Sequence, residues 1–317
     1  MGDFNYQFLL SLLIIVLGYV IKRFNIVKAE DSGVISSIIL NITLPALVVK
    51  TFSTVEVDFT LGILPLINII YGAMMVFIAL LAFRKEKRHT RGLMSMVLPG
   101  MNIGIFMYPL AEFIWGQETV KYFAMFDMGN AIILFGACYS LAAIFSTGEV
   151  NEKNKENIDE KNKIDFKYIA KKLTHSVPLI AYMLTLVINL AGLKFPAIII
   201  DVASILSRTN MPLSFLLLGV VMDFSLDKSQ WKMVIKVLSI RYGVGLIIGI
   251  LLYLLLPYGE LFGYTMLLGF VLPIGMAVIP YSIMFKYNQS LVGTMVNLTN
   301  ILSFILIWAT VSLKSFM

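Results

Sequence analysis

The chain has 317 residues, 59% hydrophobic and 14% charged, with a mean hydropathy of +0.86. An ordinary water-soluble domain carries roughly 25% charged residues, so that class is excluded and an all-α integral membrane protein is expected. The net charge of +6 does not signal a nucleic-acid partner, because the lysines and arginines sit in short patches between apolar runs.

Crossing roughly 30 Å of hydrocarbon takes about 20 helical residues. Ten apolar runs approach that length: about 4–22, 32–51, 58–83, 93–115, 120–145, 176–193, 197–222, 231–256, 262–285 and 290–313. The first is expected to be a true span rather than a signal peptide. Asp3 stands where a basic region would be needed, and no small-residue cleavage site follows.

Basic residues crowd into alternate loops: Lys22, Arg23 and Lys28, then Arg84 to Arg91, then the lysines from Lys153 to Lys172, then Lys228, Lys232, Lys236 and Lys286. Lys50, Lys121, Lys194 and Lys314 fall on the other side. The bias predicts a multi-pass protein of the plasma membrane (a bacterial inner membrane), with both termini outside and the central loop in the cytoplasm. That loop, "STGEVNEKNKENIDEKNKIDFKYIAKKL" from residue 146, is a solvated mixed-charge linker. It divides the chain into a five-span repeat over 1–145, a linker over 146–175 and a second five-span repeat over 176–317.

Five is odd, so the second half enters the membrane from the opposite side, and any likeness between halves is an inverted repeat. "NITLPALVV" (41–49) aligns with "SRTNMPLSFLL" (207–217), setting Pro45 against Pro212. "MVLPGMNIG" (96–104) aligns with "FVLPIGMAV" (270–278), setting Pro99 against Pro273. Interrupted helices at corresponding places in inverted halves point to the binding site of a transporter. Proline removes a backbone donor and clashes with the preceding turn, so Pro99 with Gly100 and Gly104, and Pro273 at the corresponding place, should break spans four and nine near mid-membrane. The freed amides and carbonyls must then be buried in protein or face a polar cavity.

The outgoing half-helices, from about Gly104 and about Met276, would present positive dipole ends at the midplane, which favours an anion. Arg208 lies equally deep and suits either a substrate carboxylate or a permanent pairing with a buried acid such as Asp127. Asp127 is the acid nearest the centre of a span and is the candidate for proton or cation coupling, or else a structural partner. Arg241 is close enough to the inner end of its span to snorkel. Asn130, Asn297 and Asn300 are candidates to support the crossing or the coupling ion, with interhelical hydrogen bonding as the plain alternative.

Other chemistry has little support. His89 and His175 are far apart and Cys138 is the single cysteine, so no metal cluster, no disulfide and no cofactor is expected. There is no phosphate loop with Lys-Ser/Thr, and an aspartyl protease would need two deep carboxylates. The chain is not expected to be an enzyme.

The ordered segments "LGYVIKRFNIV", "LNITLPALVV", "MNIGIFMYPL", "PLSFLLLGVVMD" and "IPYSIMFKYN" resemble the auxin efflux carrier family of bacterial permeases and plant auxin exporters, over nearly the whole chain apart from the central loop. Asn102, Gly104 and Pro109 carry the most specific element, with Met107 where the family usually has a second glycine. The resemblance implies ten helices in a 5+5 inverted repeat, a scaffold domain, and a transport domain whose two broken helices cross and which moves like an elevator. It also implies small organic anions, such as dicarboxylates or indole acetate, as substrates. Carried over residue by residue, the crossing falls on Pro99 and Pro273 and the substrate-facing amide on Asn102, with Thr43, Pro45 and Asn210 from spans two and seven. Gly275, Pro280 and Ser282 complete the candidate set on span nine. The expected partners are a small organic anion, a coupling proton or sodium ion, and the lipid bilayer; a homodimer is left open. A sodium-coupled carrier of the bile-acid type and a ligand-binding receptor without transport are the competing readings.

Overall fold

A computed structural model describes residues 2–53, 59–146, 177–222 and 230–314. They fold into helices, with no strand among the described residues. Taken in chain order these are α1 (Gly2–Arg23), α2 (Ser32–Phe52), α3 (Phe59–Ala82), α4 (Arg88–Val97), α5 (Ile103–Trp115) and α6 (Gln117–Ser146). After the central loop follow α7 (Val177–Leu190), α8 (Ala197–Ser207), α9 (Asn210–Val221), α10 (Trp231–Leu255), α11 (Glu260–Gly269), α12 (Val278–Met284) and α13 (Gln289–Lys314). Of the expected linker over 146–175, residues 147–175 lie outside the described residues.

Among the described residues, seven helical stretches are long and apolar enough to cross a bilayer, counting α8 and α9 as one. Of the ten expected spans, those that fall short are the fourth, split into α4 and α5, the ninth, split into α11 and α12, and the sixth, described only as α7. Large apolar side chains such as Leu13, Ile70, Phe77, Ile247 and Leu254 lie exposed on the outside, as lipid requires where no water competes for the surface.

Three stretches widen to a π-helical repeat: Ile39–Thr43 in α2, Ile103–Met107 in α5 and Ile132–Cys138 in α6. Proline explains the first two. Pro45 and Pro109 have no N–H for the carbonyls four residues back, on Asn41 and Ile105, so the ladder resettles over the turn before them. The third has no proline behind it.

The helices pack as two groups. α1, α2, α7, α8 and α9 contact one another, and α3 to α6 with α10 to α13 form the second group. Within the first, α1 and α9 cross so closely that a Cβ on Gly219 would sit 2.0 Å from the Ile15 carbonyl oxygen and one on Gly18 2.2 Å from that of Leu216. Small residues permit this approach, which lets backbone dispersion replace the missing hydrophobic drive in lipid. The two groups meet where α1 and α9 touch α5, and where α2 and α7 touch α6.

Candidate functional site

The two helix breaks lie side by side. Past α4 the chain leaves the helix at Pro99 and Gly100, and past α11 it does so up to Ala277. The Asn102 N–H donates to the Pro273 carbonyl (2.9 Å), and the Gly275 N–H donates to the Gly100 carbonyl (3.2 Å). Met101 and Ile274 thereby form a single antiparallel bridge. Two helix breaks placed together satisfy part of what each proline removed.

Side chains satisfy the rest. Asn130 reaches from α6 to both backbone groups of Met101: its Oδ1 accepts from the Met101 N–H (2.9 Å) and its Nδ2 donates to the Met101 carbonyl (2.9 Å). Nδ2 also donates to Asp127 Oδ1 (2.9 Å). On α13, Thr299 Oγ1 accepts from the Ile274 N–H (3.2 Å). Arg241 of α10 is 2% exposed and its guanidinium donates to the carbonyls of Leu98, Gly100, Leu272 and Pro273 at 2.6–3.1 Å. Snorkelling, the behaviour read from its position near a span end, is therefore corrected: Arg241 turns inward, because the carbonyls freed by two breaks offer a planar five-donor group more bonds than the membrane surface does.

Beside this junction lies a cavity of about 470 Å³. Of the expected site residues, Asn102, Gly104, Asp127, Asn130 and Pro280 line it, together with Ser32, Ser36 and Tyr182. It runs between the two helix groups toward the face where α2 begins and α9 ends. Asn102 is 5% exposed and its Nδ2 is buried without a hydrogen-bond partner. Asp127 accepts from Asn130 and, at Oδ2, from the Tyr108 hydroxyl (3.0 Å), which is itself hydrogen-bonded to the hydroxyl of Tyr182 on α7. This chain of hydroxyls ties the carboxylate across the contact between the groups.

The other expected residues fall elsewhere. Pro99, Pro273 and Gly275 build the junction without lining the cavity; a Cβ on Gly275 would meet the Met101 carbonyl oxygen at 3.0 Å. Thr43 and Asn210 are paired with each other, the threonine hydroxyl donating to Asn210 Oδ1 at 2.9 Å, two residues before Pro45 in α2. Ser282 is buried and donates to the Ile279 carbonyl within α12 (2.7 Å). Asn297 and Asn300 are buried on α13, and neither atom of the Asn300 amide has a hydrogen-bond partner. Arg208 stands exposed at the bend between α8 and α9, apart from Asp127 and from the cavity lining. The outgoing half of the ninth span begins at Val278 rather than Met276 and has 7 residues, so α5 supplies the longer dipole.

Tyr108, Tyr182, Thr299 and Arg241 went unread as site residues. A deep arginine and tyrosines in apolar runs were visible signals, but which way each faces depends on packing. At the far end of the cavity the groups close on each other: Lys50 of α2 pairs with Glu112 of α5 (3.5 Å) and Gln117 of α6 donates to the Thr51 hydroxyl (3.4 Å), while within the first group Asn189 of α7 donates to the Phe52 carbonyl (3.1 Å).

Apolar helices with lipid-facing exteriors, enclosing a cavity at two joined helix breaks, define a multi-pass membrane transport protein. The chain belongs to the membrane transport protein family of auxin efflux-like carriers, whose model matches residues 7–311. It is 25% identical over 218 residues to an uncharacterized transporter of Methanothermobacter thermautotrophicus, and 25% identical over 224 residues to one of Methanocaldococcus jannaschii. Each match covers 67% of this chain and 66% of the relative, so the chain spans just under two thirds of the relatives' length. The family places it among membrane transport proteins.

Proposed function

We propose that the chain is a secondary transporter of small organic anions, working by alternating access around the junction of the two helix breaks. On this reading it lies in the plasma membrane with both termini outside. Ten spans form a 5+5 inverted repeat, over 1–145 and 176–317, joined by a cytoplasmic linker. α1, α2 and α7 to α9 form the scaffold, and the other helices carry the site past it in an elevator-like movement. The observation that carries the reading is the unpartnered amide donor of Asn102 on the cavity. A buried donor without an acceptor costs about 1–3 kcal/mol, which a carboxylate oxygen would recover. The N-terminal amides of α5 point the same way.

Asp127 adds the coupling step. An ionised Asp127 and a substrate carboxylate in one cavity, on the order of 6 Å apart at an effective dielectric of about 20, repel by roughly 3 kcal/mol. A proton entering with the anion removes that penalty, and Tyr108 and Tyr182 offer a hydrogen-bonded route for its arrival. A second reading, favoured by the same carboxylate, is that a sodium ion takes the proton's place. The closure at Lys50–Glu112 supports assigning this conformation to the state open toward the cytoplasm.

Vesicles reconstituted with the purified chain test this: labelled malate, malonate and indole acetate are offered under proton or sodium gradients. Accumulation driven by one gradient is expected. Binding with no flux under any gradient would instead make the chain a receptor.

A further inference from the structure

Arg241 has no part in the proposed transport cycle, yet its guanidinium is buried at the junction of the two helix breaks. Resting on the organic-anion reading above, we propose that Arg241 is a positioning and specificity-determining residue of this site. Its guanidinium holds the two helix breaks in register from behind, and its charge makes the cradle in front favour an anion over a neutral analogue.

The clamp is read from the bonding. Two carbonyls come from each break: Nη1 donates to Leu98 (2.6 Å), Nη2 to Gly100 (3.0 Å), Leu272 (2.9 Å) and Pro273 (2.9 Å), and Nε to Leu272 (3.1 Å). One planar group thus spans both interrupted helices. A lysine ammonium, with three donors on a single nitrogen, cannot bridge four carbonyls in that plane. The incoming halves α4 and α11 both end at the junction, so their negative dipole ends converge there and the guanidinium neutralises them.

The charge is read from what surrounds it. The ion pairs among the described residues are Lys50–Glu112 and Lys121–Glu118, and neither includes Arg241. Its link to a carboxylate is indirect and passes through the junction. The carbonyl of the Gly100–Met101 peptide accepts from Arg241 and the N–H of that peptide donates to Asn130, whose Nδ2 donates in turn to Asp127. Aligned dipoles of this kind polarise one another in a low-dielectric interior. The cavity-lining Asn102 follows directly on this peptide. A unit charge on the order of 9 Å from a monoanion, at an effective dielectric of about 20, changes affinity by roughly 20-fold.

The test uses the full chain purified into nanodiscs, as wild type, R241Q and R241K. Backbone hydrogen exchange is followed at 98–102 and 272–276, and binding is measured for malonate, malate and indole acetate against their neutral amides. R241Q should speed exchange in both segments together and lower the acid-over-amide preference by about 20-fold for indole acetate, a monoanion, and by more for malonate and malate, which carry two charges. R241K, which keeps the charge but not the four-carbonyl grip, should speed exchange in both segments while keeping most of the preference. Exchange that stays slow, or rises in one segment alone, overturns the clamp. A folded R241Q with wild-type preference, or an R241K that loses it, overturns the specificity role. If R241Q does not fold, R241K decides both points. Wild type that binds none of the acids would sink the organic-anion reading and the specificity role with it, while the exchange measurement still decides the clamp.

Discussion

Asn102 and Asn130 carry the same side chain on the same cavity, yet truncating them should have opposite consequences. Asn130→Ala strips two buried groups of their partner, the N–H and the carbonyl of Met101, each bonded at 2.9 Å, and takes one of two donors from the half-buried Asp127 carboxylate, which keeps the Tyr108 hydroxyl. Leaving a buried polar group unpaired costs about 1–3 kcal/mol each, so the loss should reach about 4 kcal/mol or more. For a chain of this size that is roughly a 10 °C fall in melting temperature. Asn102→Ala removes an Nδ2 that bonds nothing in the protein, so stability should change by under about 1 kcal/mol while substrate uptake is lost. Tryptophan fluorescence during heating of the two purified variants, with uptake by each in vesicles, separates the roles. Equal destabilisation of both, or a stable N102A that transports normally, would refute the assignment of one amide to the protein and the other to the substrate.

Asp127→Asn keeps the shape of the site and removes its charge. One coupled proton gives tenfold accumulation per pH unit, about 1.4 kcal/mol, so D127N vesicles should accumulate substrate independently of the proton gradient; retained gradient dependence would leave Asp127 a structural group. Gly219→Ala places a Cβ 2.0 Å from the Ile15 carbonyl oxygen and must push α1 from α9, costing about 1–3 kcal/mol. Gly293→Ala, with nothing within 4 Å of the added Cβ, serves as the thermal-melting control, and equal melting of the two would contradict the close crossing. Lys50→Gln removes a half-buried ion pair worth up to about 1 kcal/mol. It should shift the protein away from the state in which Ser36 lines an open cavity, slowing alkylation of S36C in a Cys138→Ser background up to about fivefold; an unchanged rate would rule out that closure as a gate.

Much of the architecture was legible because lipid imposes local rules. Every backbone group must be paired within its own segment, so an apolar run of sufficient length declares a helix. A proline inside such a run declares a break, and Pro99 with Gly100, and Pro273 aligned with Pro99, marked both breaks that the structure sets against each other. Asp127 and Asn130 followed from depth, as polar side chains inside an apolar run, whereas Gly104 came with the break after Pro99 and Asn102 with the family resemblance.

Facing could not be read. Arg208 and Arg241 are both arginines within apolar stretches, and the one judged deeper stands exposed at a helix bend while the one judged free to reach the surface is buried at the junction. Likewise the Thr43 hydroxyl donates to Asn210 Oδ1 across 167 positions of chain, and Tyr182 reaches Asp127 through Tyr108. A lipid-bound helix tells its sequence how long to be and where to break. Its rotation is decided by neighbours arriving from the other half of the chain, because only then do freed carbonyls gather densely enough to draw a guanidinium inward.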